Sequence, residues 1–147
     1  MHKNLLKGKL ALVLHAHLPY VRSASAGSLE EDWFFQALTE CYLPLVKTIS
    51  NSLKDKNQNP KITISLSPTL LSLLEDDDLK ERFPIWLNSR IEILKDIPKS
   101  YEKASFYLSE FFAEQLETWS KIDYDLINKF AELQSTGAVD LLTCAAT

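Results

Sequence analysis

The first candidates for chemistry in this sequence are two histidines, His15 and His17, which follow a short apolar run at residues 10–14. The run predicts a strand that is buried on both faces, as in a parallel sheet. Because side chains alternate along a strand, both imidazoles should point to the same side. Pro19 lacks a backbone donor and should end the pairing. The two histidines therefore occupy the carboxyl end of a strand, where α/β proteins usually carry their binding and catalytic groups.

Two other interpretations fit the same spacing. One is a structural pair at a strand end, hydrogen-bonded and without a ligand. The other is a zinc site, because a His-x-His pair at the end of a strand can bind a divalent ion. A zinc site needs a third and a fourth ligand, and the remaining histidine, His2, is a terminal residue to which we assign no role. Spacing alone leaves these interpretations open.

The two cysteines, Cys41 and Cys144, lie far apart and outside any Cys-x-x-Cys motif. They therefore predict neither a zinc site nor a redox motif. Both are expected to be reduced, partly buried residues of a cytoplasmic protein. Cys144 would act as a nucleophile only with a base beside it, and the sequence indicates none.

Composition and charge exclude several classes of protein. The 147 residues are 46% hydrophobic and 24% charged, as in a globular domain, and the formal net charge is −4. Acids and bases are interspersed, so the basic patch of a nucleic-acid-binding protein is not indicated. The apolar run at 10–14 is too short for a signal-peptide core or a membrane span. The acidic run at 75–78 is expected to be a solvated turn.

The first helix should begin at Ser28, which forms a Ser-x-x-Glu capping box with Glu31. Pro44 should kink or restart this helix. One wide apolar stripe should be its buried face, and its members are Leu29, Trp33, Phe34, Ala37, Leu38, Cys41 and Tyr42. Because Trp33 belongs to this stripe, packing competes with any binding role for its ring.

A second short strand is expected at residues 62–66, followed by Ser67 as an N-cap and Pro68 as the first residue of a brief helix. A further helix should run from about Leu79. Helical spacing of apolar residues continues over 104–134, which predicts one long helix or two joined near Asp123.

Gly137 is well placed as the C′ residue of the last helix, and residues 139–143 predict a third strand. The order of strand, helix, strand, helices and strand predicts an α/β fold with a parallel sheet. Three strands cannot close a barrel, which in the familiar case has about eight strands. Residues 1–147 are therefore expected to be a single incomplete domain, the N-terminal part of something larger. Its open sheet edge should leave the isolated chain poorly stable or self-associated.

Five stretches together carry a family resemblance. They are Leu-His-Ala-His-Leu-Pro-Tyr-Val at 14–21, Leu-Glu-Glu-Asp-Trp-Phe-Phe at 29–35, Thr-Glu-Cys-Tyr-Leu-Pro-Leu at 39–45, Ile-Ser-Leu-Ser-Pro-Thr-Leu-Leu at 64–71, and the stretch 137–147. The first resembles the first signature of glycoside hydrolase family 57. The last resembles the second signature up to the residue before its histidine. The set is most similar to the branch that holds the 1,4-α-glucan branching enzymes.

The resemblance implies the N-terminal part of a distorted (β/α)7 barrel that acts on α-1,4-glucans such as amylose and glycogen. It implies a retaining mechanism with a glutamate nucleophile and an aspartate acid/base, both on later signatures, and no metal or organic cofactor. No catalytic residue is assigned in this chain, which is therefore expected to be inactive alone and to need a second chain or a continuation. The alternatives are a fragment of a family 57 α-amylase or 4-α-glucanotransferase, or a non-catalytic product of a split gene.

On this resemblance, His15 and His17 line the sugar subsite beside the cleavage point. Their imidazoles can hydrogen-bond sugar hydroxyls and tune the pKa values of nearby carboxylates. Trp33 is expected to form a stacking wall for the glucan, since an aromatic face suits the apolar face of a sugar. The sequence thus predicts three substrate-binding residues in this chain.

Overall fold

A computed structural model describes residue 8 and residues 10–22, 27–57 and 59–145. Its three strands are β1 (Val13–Ala16), β2 (Ile62–Leu66) and β3 (Val139–Leu142). Its α-helices are α1 (Leu29–Ala37), α2 (Leu43–Ser52), α3 (Pro68–Glu75), α4 (Asp77–Lys95), α5 (Glu102–Lys121) and α6 (Leu126–Ser135). A π-helical turn, Leu38–Tyr42, joins α1 to α2, and a 3-10 turn, Lys99–Tyr101, precedes α5.

The three strands form one parallel sheet in the order β1-β2-β3. His15 pairs with Ser65 in the register of β1 and β2, and Ser65 pairs with Leu142 in the register of β2 and β3. The predicted α/β class and parallel sheet are confirmed. Because all three strands run the same way, the residues that follow them meet at one edge of the sheet.

The first strand differs from its prediction in position and in burial. It spans Val13–Ala16 and not residues 10–14, and the predicted burial on both faces is wrong. Leu10 is 94% exposed and Val13 is 59% exposed, whereas Ala16 is buried. The reason is its place at the side of the sheet, since β1 pairs with β2 alone among the described strands.

The start of α1 follows the prediction, and its buried face follows it only in part. The Ser28 hydroxyl accepts a hydrogen bond from the Glu31 backbone N–H, which confirms Ser28 as the N-cap, while the Glu31 carboxylate accepts from the Gly27 N–H at 3.3 Å in place of the Ser28 N–H of a full capping box. Of the predicted stripe, one row is exposed and consists of Leu29, Trp33 and Cys41. The buried row consists of Phe34, Leu38 and Tyr42 from that stripe and of Phe35, which the predicted stripe did not include. The seven predicted residues form two adjacent rows, which together cover more of the helix surface than one contact with the core can bury.

Pro44 restarts the helix, as one of the two predicted outcomes. It lies in the first turn of α2. The π-helical turn before it continues the chain from α1 into α2 without a loop. The helix after β2 is also as predicted, with the Ser67 hydroxyl accepting from the Leu70 N–H and Pro68 at the first position.

The long helical pattern is two helices, and the break lies where the second alternative placed it. Asp123 and Tyr124 have φ values of +52° and +61°, a left-handed conformation that ends α5 before α6 begins. Gly137 has a φ of +75° after α6, which confirms it as a C′ residue. Trp119 of α5 is buried and meets the Phe83 ring edge-on at 5.3 Å, in the core between α4 and α5.

The acidic run at 75–78 is largely exposed at the junction of α3 and α4, as predicted, but it also forms ion pairs that were not predicted. Asp76 caps α4 by accepting from the Leu79 N–H. Arg22, which follows β1, donates to Asp76 at 2.7 Å and to Asp78 at 2.6 Å. Arg82 links Asp78 to the buried Glu31, with both distances at 2.8 Å. The run therefore ties the segment after β1 to the first turns of α4 and α1.

Candidate functional site

A pocket of about 360 Å³ opens at the carboxyl ends of β1 and β3, and its described lining residues are His15, His17, Cys144 and Ala145. The two imidazole rings are stacked, with centroids 5.7 Å apart and planes 12° from parallel. The prediction that both rings point to the same side is thus confirmed. We refer to this site as the histidine pocket.

The His15 ring is oriented from β2. Its Nδ1 atom and the Ser65 hydroxyl form a hydrogen bond of 2.5 Å. The bond joins residues that are direct partners in the register of β1 and β2. Nε2 remains as the second polar atom of the ring, and an imidazole nitrogen can donate to or accept from a ligand hydroxyl, depending on the tautomer.

The segment that carries His17 is held by the start of α3. The Ser67 backbone N–H donates to the Ala16 carbonyl at 3.0 Å, and the Thr69 hydroxyl donates to the Leu18 carbonyl at 2.8 Å. The Ser67 and Thr69 hydroxyls lie 3.1 Å apart. Backbone carbonyls on both sides of His17 are therefore satisfied by one helix end, which limits the movement of this segment.

Cys144 is the main site residue that the sequence analysis missed. It was expected to have no base nearby, but it lines the histidine pocket together with two imidazoles. Its thiol donates to the Leu66 carbonyl at 3.5 Å. The expected partial burial is confirmed for Cys144. It is wrong for Cys41, whose side chain is exposed. Both thiols are free.

Trp33 does not join this group. It is 50% exposed on α1 and is absent from the described lining of the histidine pocket. The neighbouring Asp32 accepts from the Trp86 Nε1–H at 2.5 Å and pairs with Arg90, so this face of α1 is bound to α4. A stacking role for Trp33 stays a prediction.

No three histidine, cysteine, aspartate or glutamate side chains within the described ranges converge in a way that could hold a metal ion. The zinc alternative therefore finds no ligand set in that part of the chain. Within those same ranges, no helix has both the length and the apolar character needed to cross a bilayer. The cytoplasmic location expected from the cysteines stays a prediction.

Comparison with known proteins decides the family. The model of glycosyl hydrolase family 57 matches residues 11–147. The chain belongs to glycosyl hydrolase family 57. Over 145 residues it is 34% identical to a 1,4-alpha-glucan branching enzyme of Thermococcus kodakarensis, a match that covers 97% of this chain and 21% of that enzyme.

Solved family 57 structures share the fold. An alpha-amylase from Thermotoga maritima superposes with a TM-score of 0.85 at 30% identity, over 97% of this chain and 28% of that one. A branching enzyme from Pyrococcus horikoshii gives a TM-score of 0.85 at 30% identity, over 95% and 27%. These neighbours are (β/α)7-barrel enzymes, so the fold class inferred from the resemblance is confirmed. The chain spans about a fifth to just over a quarter of the length of these relatives.

Proposed function

We propose that this chain forms the N-terminal part of the α-glucan-binding site of a family 57 enzyme, with His15 and His17 as sugar-contacting residues. The observation that supports it is the histidine pocket itself, in which two stacked imidazoles lie at the carboxyl ends of parallel strands. That edge is where ligands bind in α/β enzymes.

The size and chemistry of the pocket suit a sugar. Its volume of about 360 Å³ lies within the range of roughly 300–1,000 Å³ that is usual for small-molecule sites. Imidazole nitrogens can donate to or accept from hydroxyl groups, which a neutral sugar presents all round its ring. The Thermococcus kodakarensis branching enzyme was crystallised in complex with glucose, and the chain matches 26% of that structure with a TM-score of 0.84.

The reaction that we propose is 1,4-α-glucan branching, in which a cleaved glucan segment is transferred to a 6-hydroxyl of another glucan. The similarity to branching enzymes from two archaea supports it. Hydrolysis by an α-amylase is the second candidate, because the Thermotoga maritima structure fits equally well. A retaining mechanism needs two carboxyl groups about 5 Å apart across the scissile bond.

Neither carboxylate is found in the histidine pocket, whose described lining contains no aspartate or glutamate. We therefore assign the nucleophile and the acid/base to further βα units, supplied by the same polypeptide or by a second chain. Those units would pair with the free sides of β1 and β3, which carry no described partner strand.

Two chimeric enzymes test the proposal. Residues 11–147 would replace the matching segment of the Thermococcus kodakarensis branching enzyme and, separately, of the Thermotoga maritima alpha-amylase. New α-1,6 linkages and new reducing ends would be measured on amylose. We expect the first chimera to branch amylose and to lose activity at least about 100-fold with His15→Ala, while Cys41→Ser leaves it unchanged.

Two outcomes would contradict the proposal. If both chimeras fold and neither is active, this chain does not contribute a functional part of the site. Equal activity of the wild-type and His15→Ala chimeras would remove the histidine from sugar binding. If only the amylase chimera is active, hydrolysis replaces branching as the proposed reaction.

A further inference from the structure

A second cavity, of about 210 Å³, lies between α2, α5 and α6 and shares no described lining residue with the histidine pocket. Four lysines line it, namely Lys47, Lys54, Lys121 and Lys129. Glu117 is the one carboxylate among its described lining residues. We refer to this cavity as the lysine groove.

The charge in the lysine groove contrasts with the rest of the molecule. The chain has 16 basic residues and a formal net charge of −4, yet four of those basic residues face one small cavity. Like charges held close together repel unless counter-charges lie among them, and a concave wall concentrates their field. An anion in the groove would offset the positive charge that the local carboxylates leave unpaired.

Existing contacts neutralise only part of this charge. Lys121 pairs with Glu117 at 2.7 Å, Lys129 pairs with Glu132 at 2.8 Å, and Lys47 pairs with Glu114. Lys54 instead donates to the neutral amide oxygen of Asn51 at 2.9 Å. The ammonium group of Lys54 therefore contacts a neutral residue of the groove wall. No carboxylate is among the contacts described for it.

Helix electrostatics explain two of the four lysines. Lys121 is the last residue of α5 and Lys54 follows the end of α2, and cations are favoured at such carboxyl ends. Lys129 lies near the amino end of α6, where a positive charge is disfavoured, and Lys47 lies in the middle of α2. A local helix effect thus does not account for the whole cluster.

The wall of the groove also contains a hydroxyl without a partner. Ser50 lines the cavity, and its Oγ is buried with no hydrogen-bond partner among the described residues. A buried polar group left unpaired costs about 1–3 kcal/mol. Because this Oγ is closed off from the cavity as it lies, a ligand reaches the hydroxyl only after the Ser50 side chain turns toward the groove.

We propose that the lysine groove binds the phosphate group of a small phosphate monoester, such as a sugar phosphate. A phosphate presents several acceptor oxygens and nearly two negative charges at neutral pH, which suits the four ammonium groups that line the groove. The groove volume of about 210 Å³ is enough for a phosphate and a small organic group. This site is separate from the histidine pocket and does not depend on the function proposed for it.

The test is isothermal titration calorimetry of the full 147-residue chain with inorganic phosphate and with glucose 6-phosphate, at constant ionic strength. We expect saturable binding of both, and an affinity about fivefold or more lower in Lys54→Gln and in Lys129→Gln. Lys95→Gln is the matched control, because Lys95 is exposed on α4 and pairs with Glu92 outside the groove. The affinity of Lys95→Gln for both ligands should equal that of the wild type.

Glu117→Gln should raise the affinity for phosphate, whereas the lysine variants should lower it. Lys121 and Lys47 hold the pKa of the Glu117 carboxyl below its ordinary value, so this group is an anion that competes for the same lysines. Removing its charge should tighten phosphate binding several-fold. Glu92→Gln removes the same charge far from the groove and should have no effect.

The results that overturn the proposal are specific. They are the absence of saturable binding, an equal loss of affinity in Lys95→Gln, or an unchanged or weaker affinity in Glu117→Gln. If a lysine variant fails to fold by circular dichroism, Glu117→Gln and its control decide the question. Loss of sugar binding in His15→Ala has no bearing on this result, because the two sites share no described residue.

Discussion

At the scale of single residues, the orientation of His15 depends on one hydroxyl. Ser65 lies directly opposite His15 in the sheet, and its Oγ holds Nδ1 of the ring at 2.5 Å. A ring fixed by one nitrogen presents the other nitrogen in a fixed direction, which lowers the conformational entropy lost when a ligand binds. Ser65 is thus a positioning residue for the histidine pocket.

Replacing Ser65 should therefore weaken sugar binding without abolishing it. We expect Ser65→Ala to lower the affinity for maltotetraose about fivefold, which corresponds to the loss of one hydrogen bond of about 1 kcal/mol. Isothermal titration calorimetry measures the affinity. Ser72→Ala is the control, since Ser72 is exposed on α3 and bonds only to the Pro68 carbonyl in the contacts described for it. An unchanged affinity in Ser65→Ala, alongside a loss in His15→Ala, would remove the positioning role.

The two cysteines provide an internal comparison for occupancy of the histidine pocket. Cys144 lines the pocket, whereas Cys41 is exposed on the π-helical turn. Bound maltotetraose should slow alkylation of Cys144 by iodoacetamide several-fold, because it covers the thiol, and should leave the rate at Cys41 unchanged. Peptide mass spectrometry measures both rates in one sample. Equal rates at Cys144 with and without the sugar would contradict the proposed binding place.

At the scale of elements, the first turn of α4 fixes the segment that follows the histidines. Asp76 caps this helix and also accepts from Arg22, while Arg82 connects the same turn to Glu31 of α1. The acidic run therefore acts as a junction of three segments. Its charges are partly buried and arranged as a network, which is the case in which ion pairs contribute measurably to stability.

Asp76→Ala should lower the free energy of unfolding by about 1–2 kcal/mol, since it removes an N-cap and an ion pair together. Urea denaturation followed by circular dichroism measures the change. Asp77→Ala is the control from the same turn, because the Asp77 side chain is 93% exposed and should change stability by less than about 0.5 kcal/mol. Similar effects of the two substitutions would show that general helix electrostatics, and not the cap, is responsible.

At the scale of the whole molecule, the core between the sheet and the helices determines how stability responds to alkaline pH. Tyr42 is buried in this core, and burial raises the pKa of its hydroxyl from 10.0 to about 12. The folded state therefore keeps the proton at pH values where the unfolded chain has lost it. This contribution to stability is fully present below pH 10 and is lost as the pH rises from 10 to about 12.

Tyr42→Phe should remove that part of the alkaline loss. We expect the difference in unfolding free energy between pH 9 and pH 11.5 to be smaller in Tyr42→Phe than in the wild type, as measured by urea denaturation at each pH. Tyr20→Phe is the control, since Tyr20 is 63% exposed and should show the wild-type difference. The same alkaline loss in all three proteins would contradict the assignment to Tyr42.

Much of the fold could be predicted from local sequence signals. Capping at Ser28 and Ser67, the break near Asp123 and the glycine at 137 are decided by neighbouring residues. Partners far apart in sequence were not predictable in this way. The pairing of Ser65 with His15 depends on strand register, and the approach of Cys144 to the histidines depends on the order of the strands.

The errors have the same physical origin. The first strand was expected to be buried because its residues are apolar, yet burial depends on a neighbour, and β1 pairs only with β2 among the described strands. The ion pairs of the acidic run were missed because its partners, Arg22 and Arg82, are identified only by the tertiary fold. Apolar and charged patterns predict what a residue prefers, while the fold decides what it contacts.

The central claim is that the histidine pocket binds an α-glucan, and a titration followed by NMR tests it most directly. The chain has three histidines, so the imidazole ring protons give three sets of signals. On addition of maltotetraose, we predict saturable shifts for His15 and His17 with one common dissociation constant, and no shift for His2. Ring signals of His15 and His17 that stay unchanged, or that shift no more than those of His2, would contradict the account.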